Sequence, residues 1–139
     1  MDTKTLTVLA TVNAGIEKVW NAWTTPADII QWNNASPDWH TPKAENDLRT
    51  NGTFLFRMEA KNGSFGFDFN GVYTLVIPLE RIEYALPDSR KVVVTFVVNE
   101  NNTIVTKTFD PEEINQVEMQ KQGWQSILDN FKNYVERTK

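Results

Sequence analysis

A chain of 139 residues, 40% of them hydrophobic and 23% charged, with 18 acidic against 14 basic side chains and a net charge of −4, has the size and composition of one soluble domain spanning 1–139. The lack of cysteine and the single histidine exclude a disulfide framework and a Cys/His zinc site on ligand count, and a pI near 5.0 argues against a groove that neutralises nucleic-acid phosphates. The start, Met1 to Thr5, has no basic region followed by an apolar run, and no stretch approaches the roughly 20 apolar residues of a membrane span, so the expected address is the cytoplasm.

The opening segment, Thr3 to Val12, alternates Leu6, Val8, Ala10 and Val12 with Thr5, Thr7, Leu9 and Thr11, the two-residue period of a half-buried strand. Two short helices are predicted next. Ile16, Val19, Trp20 and Trp23 recur at helical spacing in the first; the second opens at Thr25-Pro26-Ala27-Asp28, with Thr25 as cap and Pro26 at the first helical position, and ends near Trp32. From Asn33 to Pro42, with Pro37 and Pro42 blocking regular ladders, the chain reads as a loop that carries Trp39 and His40.

Strands then dominate. Asn51-Gly52 and Asn62-Gly63 beside apolar alternation are signals for tight hairpins, whose type I′ turn needs positive φ at both central residues. Centring the second turn on Asn62 and Gly63 sets Met58 opposite Phe67, Phe56 opposite Phe69 and Arg57 opposite Asp68, which gathers the hydrophobic side chains on one face and the charged pair on the other. Further strands are predicted at about Glu80 to Tyr84, Lys91 to Val98 and Thr103 to Phe109. Asp110-Pro111-Glu112-Glu113 then starts a helix with a capping Asp and a Pro at its first position, Phe109 and Ile114 standing where a hydrophobic staple would close. From there Val117, Trp124, Ile127, Leu128, Phe131, Tyr134 and Val135 keep the spacing of one helical face, and a helix from Pro111 to Arg137 would run about 40 Å. Consecutive strands joined by tight turns, with the helices apart from them, give an α+β class: a curved antiparallel sheet of about six or seven strands, two short helices after strand 1, and a long C-terminal helix that the sheet wraps.

Several stretches together resemble one family. Ala14-Gly15-Ile16-Glu17-Lys18-Val19-Trp20, then Thr24-Thr25-Pro26 before Ile29, Ile30 and Trp32, then Asp47-Leu48-Arg49-Thr50-Asn51-Gly52 followed by Phe54, Phe56 and Met58, and the Gly123-Trp124 that opens GWQSILDNFKNYVE are similar to the activator of heat shock protein 90 ATPase homologue-like family of the START-like, helix-grip (SRPBCC) superfamily. The order matches over nearly the whole chain. Asn51 stands where the family often has the first of two glycines, and Trp32-Asn33 where a Trp-Trp pair is common. The resemblance implies a curved sheet gripping the last helix, with an apolar cavity between them that often receives a small molecule. The eukaryotic co-chaperones behind the family name have two domains, and this chain is similar to the C-terminal one only, so a chaperone or other protein partner is a second implied possibility.

Catalytic chemistry has little to work with in this sequence. The serines occupy no nucleophile elbow, Gly63, Gly66 and Gly71 lack the spacing of a phosphate or dinucleotide loop, and His40 reads as a solvated loop histidine. Glu59 and Asp68 point away from the aromatic face, and Glu112, Glu113 and Glu118 sit at a helix start where they favour its dipole. The sequons at Asn34, Asn51, Asn62 and Asn101 read as turn residues. No catalytic residue, metal ligand or cofactor is therefore expected.

Aromatic content is the informative feature: five Trp, eight Phe and three Tyr make up 12% of the chain. Many fall on one side: Phe54, Phe56 and Met58 share a strand face, as do Phe65, Phe67, Phe69 and Tyr73, and the long helix presents Trp124, Leu128 and Phe131. Small-molecule sites are largely apolar hollows with a few polar groups, so the expectation is non-enzymatic binding of a small hydrophobic or amphipathic ligand, lined by Trp32, Trp39, Phe54, Phe56, Met58, Phe69, Tyr73, Trp124, Leu128 and Phe131, with the Trp39 loop as a lid. Either face of the last hairpin can look inward: Val93, Thr95 and Val97 with Ile104, Thr106 and Thr108, or Val92, Val94 and Phe96 with Val105, Lys107 and Phe109. The first would offer Thr95 and Thr106 as polar anchors. A protein-interaction module is the alternative, and a cyclase-like or oxygenase-like enzyme of the wider superfamily the third reading.

Overall fold

The computed structural model describes residues 5–111 and 116–138. In chain order its elements are β1 (Leu6–Val12), α1 (Ile16–Thr24), α2 (Pro26–Trp32), β2 (Trp39–Asn46), β3 (Thr53–Ala60), β4 (Gly66–Ile77), β5 (Arg81–Ala85), β6 (Lys91–Asn99), β7 (Asn102–Phe109) and α3 (Val117–Arg137). The seven strands form one antiparallel sheet ordered β1-β7-β6-β5-β4-β3-β2, curled into a half-barrel that holds α3, the α+β helix-grip arrangement. From β2 onward, sequence neighbours pair through connections of two to six residues, and β1 lies beside β7.

The hairpin register follows the aromatic alternation. Met58 faces Phe67, Phe56 faces Phe69 and Arg57 faces Asp68, with the Arg57 guanidinium donating to Glu59 at 2.9 Å and to Asp68 at 3.4 Å on the outer face. The turn itself is not type I′. Gly63 has a φ of 77° while Asn62 does not enter the positive region, and the Gly63 N–H donates to the Ala60 carbonyl at 2.9 Å. Five residues connect the strands, long enough to turn the chain with one left-handed residue. At the other Asn-Gly pair it is Asn51 that takes the positive φ, 72°; Gly52 is needed because a Cβ there would stand 2.1 Å from the Asp47 carbonyl oxygen.

Residues 39–42 do not belong to a loop. They open β2, which pairs with β3 through Trp39 opposite Ala60 and His40 opposite Glu59, and the register shifts between His40 and Lys43. Pro42 sits in that irregularity on a border strand, where a missing N–H breaks no ladder bond. Thr41 ties the strand to α2: it is 2% exposed, its hydroxyl donates to the Asn33 carbonyl at 2.6 Å, and it accepts from the Asn33 side-chain amide at 3.3 Å.

Thr25 occupies the N-cap of α2 through its backbone, its carbonyl accepting from the Asp28 and Ile29 N–H groups at 2.9 Å, with no side-chain cap bond. α3 buries Gln120, Leu128, Phe131 and Val135, each apolar one of these contributing roughly 1.5–3 kcal/mol. Val117, expected on that face, is 49% exposed, because the buried stripe begins a turn later. Glu112, Glu113 and Ile114, the proposed cap and staple, lie outside the described residues. Asp110 instead accepts a hydrogen bond from the Lys91 backbone N–H at 2.9 Å.

α3 is fixed to the short helices by polar ties. The Asn130 amide donates to the Trp32 carbonyl at 2.8 Å, the Tyr134 hydroxyl to Asp28 at 2.5 Å, and Trp32 Nε1 to the Ala22 carbonyl at 2.9 Å. On the sheet, α3 runs close along β1, and the Gln125 amide donates to the Leu9 carbonyl at 3.0 Å.

Candidate functional site

Strand alternation decides which side chains meet α3. Val92, Val94 and Phe96 of β6, with Val105 and Phe109 of β7, are at most 4% exposed, so this face of the last hairpin looks inward. Thr95 and Thr106 pair with each other on the outside, beside Thr7 and Thr108, whose hydroxyls are 3.3 Å apart. They are no anchors for an internal ligand. Two phenylalanines give the inward face the larger apolar area, and burying it is worth more than burying a threonine face.

The proposed lining falls into three groups. On the β3–β4 half of the sheet, the Phe54 ring lies within 5.1 to 5.7 Å of Phe56, Phe69 and Tyr73, and 4.9 Å from Tyr84; Met58 continues this face. The Tyr73 hydroxyl donates to Asn46, and burial pushes both the Tyr73 and Tyr84 phenols up. At the short-helix end, Trp32 and Phe131 contact each other and Trp23 with centroids 4.8 to 4.9 Å apart, a packed core in which Leu128 is 1% exposed. Trp39 stands apart from both, edge-on to Phe65 and tilted against Phe67, each at 6.0 Å. Phe65 precedes β4, and these two phenylalanines are exposed.

Trp124 joins the halves. Its ring stacks on Phe109 at 3.9 Å and meets the edge of Phe69 at 6.3 Å. Phe56, Phe69, Trp23, Trp124 and Ile127 face the interior yet stay half-buried, unlike their neighbours on β6 and β7. A Cβ built on Gly123 meets nothing within 4 Å, so this glycine marks open space rather than close packing. Sequence reasoning left Lys107 unassigned. It projects inward between Val105 and Phe109, its Nζ 4.4 Å from the Trp124 centroid and 5.4 Å from that of Trp23, and burial pushes its pKa down to about 7. The signal was one cation on the more apolar face of a hairpin.

Clefts open elsewhere. One of about 570 Å³ lies outside the wrap between α2, the Asn34–Pro37 segment and α3, and takes Trp39, His40, Lys61, Asp129 and Arg137 into its rim. A more apolar recess of about 440 Å³ reaches Phe54 past Gly71, Ala85, Leu86 and Pro87. Among the described residues no three His, Asp or Glu side chains converge to hold a metal, and no helix is long and apolar enough to cross a membrane.

The family described as Activator of Hsp90 ATPase homolog 1-like protein matches residues 13–136. The chain belongs to this family. Among solved structures, it is similar to an AHSA1-like protein from Aeromonas hydrophila, at 44% identity and a TM-score of 0.90, covering 96% of this chain and 92% of that one. It is also similar to Chr148 from Cytophaga hutchinsonii, at 50% identity and a TM-score of 0.83, covering 95% and 92%. Protein CV1439 from Chromobacterium violaceum, at 21% identity and a TM-score of 0.86 over 97% and 99% of the two chains, shares the fold. No curated protein matches the chain.

Proposed function

We propose that this family member is a non-enzymatic carrier or sensor in the cytoplasm that holds a small hydrophobic or amphipathic molecule between the sheet and α3. The observation that carries the reading is the unequal closure of the wrap. α3 runs close along β1, while Phe56 and Phe69 on the opposite half face inward and remain half-buried. Transfer of apolar ligand surface onto these rings supplies about 25 cal/mol per Å², less the cost of ordering the ligand. Trp124, Phe69 and Phe56 form the centre of the proposed site, Phe54, Tyr73 and Met58 its floor, Trp39 its outer lip, and Trp32, Leu128 and Phe131 its packed far wall.

The test is native mass spectrometry of the purified chain together with titration by the uncharged dye Nile red. The expected result is a co-purified small molecule or saturable one-to-one dye binding, weakened at least tenfold by Trp124→Ala. Neither a bound molecule nor saturable binding would overturn the reading.

The exposed rings of Phe65 and Phe67, packed beside the half-buried Trp39, favour a second reading, a protein-interaction module with its patch at the β3–β4 hairpin. A Phe65→Ser, Phe67→Ser variant that keeps dye binding but loses a stable partner in pull-down would favour it.

A further inference from the structure

Lys107 is the cation on the inner wall. Its cross-strand partners are Val8 on β1 and Val94 on β6, which are 2% and 0% exposed. Among the described residues no oxygen accepts a hydrogen bond from its ammonium, and no carboxylate pairs with it; the ion pairs join groups such as Arg57 and Glu59 or Lys132 and Glu136. Among the described residues, its cross-strand and ring neighbours carry no compensating charge. α1 contributes the Trp23 ring, α3 the Trp124 ring, and the flanking strands Val8 and Val94. The inward ionisable groups of β4 and β5 are the phenols of Tyr73 and Tyr84, which burial holds protonated. Two indole faces offset part of the desolvation of an ammonium, but an apolar side chain of equal length would fit this wall at lower cost.

We propose that Lys107 anchors the carboxylate of an amphipathic ligand whose apolar body lies against Trp124, Phe69 and Phe56. This rests on the reading of the hollow given above. A monoanion fits better than a phosphate, because a single ammonium with no arginine beside it supplies few donors, whereas a phosphate has more charge and more acceptor oxygens to satisfy. With the free amine titrating near 7, binding of a carboxylate above that pH must take up a proton, so affinity falls as pH rises.

The experiment titrates the full chain and its Lys107→Met variant with 4-(1-pyrenyl)butyric acid and with the methyl ester of that acid. The wild type is expected to bind the acid at least tenfold more tightly than the ester, and the variant to bind both alike. Between pH 7 and 9 the wild-type affinity for the acid falls by up to tenfold per pH unit while that for the ester stays level; this arm needs no variant. Equal binding of acid and ester by the wild type, or a preference that survives in Lys107→Met, would overturn the anchor and leave the hollow standing. Binding of neither probe would overturn both.

Discussion

Phe109 of β7 and Trp124 of α3 lie face to face, their ring centroids 3.9 Å apart and their planes 9° from parallel. This stack is where the long helix is pinned to the end of the sheet, and the same indole carries Lys107 near its ring. Replacing Trp124 by Ala removes both contacts along with the apolar area. Because Trp124 is half-buried, the expected loss is about 2–3 kcal/mol of unfolding free energy, below the cost at a fully buried tryptophan. Trp124→Phe should lose less than half of that, and urea denaturation of the two variants checks the ordering.

Lys107 makes stability depend on pH in a defined direction. Its folded pKa of about 7 lies below the unfolded value near 10.4, so the unfolded chain binds more protons between these limits and stability rises with pH across that window. Below pH 7 the penalty is fully present and on the order of several kcal/mol. Lys107→Met should therefore exceed the wild type in stability at pH 6, by roughly 2 kcal/mol or more, with the gap closing toward pH 10. Paired denaturation curves at pH 6, 8 and 10 measure it; a gap that does not change with pH would contradict the assignment.

Two glycines should respond oppositely to alanine. At Gly123, with nothing within 4 Å of an added Cβ, Ala improves helix propensity and should stabilise by about 1 kcal/mol. At Gly71 the Cβ would stand 2.7 Å from the Ala85 carbonyl oxygen and 2.9 Å from the Phe54 ring, and the strained core should lose about 2 kcal/mol. Thermal melts of the two variants check both signs.

Thr41 joins β2 to the end of α2. Thr41→Val keeps the shape but removes the donor to the buried Asn33 carbonyl, which leaves that oxygen unsatisfied and should cost about 1–2 kcal/mol. Hydrogen exchange localises the effect: β2 amides should lose protection more than those of β6.

The architecture was legible where alternation was strict. Placing Met58 opposite Phe67 needed only the period of two and the turn position. β2 was hidden because Pro37 and Pro42 read as loop signals, and a border strand tolerates a proline that a central one would not. Phe54, Phe69 and Trp124 could be named from their faces, since strand and helix periodicity bring them inward. Two alternating patterns in β6 and β7 looked equally plausible in sequence, and the contest was settled by which face buried more apolar area, something period alone does not weigh. Lys107 was overlooked for the same reason: its side chain follows whichever face turns in.

Both borders of the sheet are defended. Along β2, Pro42 and the slipped register interrupt the row of donors, and Lys43 and Glu45 hold charge there; along β1, the Gln125 amide occupies an outward carbonyl. A strand from a second molecule thus finds no uninterrupted ladder to extend. The protein can therefore leave the Phe65 and Phe67 rings uncovered without offering a template for the edge-to-edge growth that seeds fibrils.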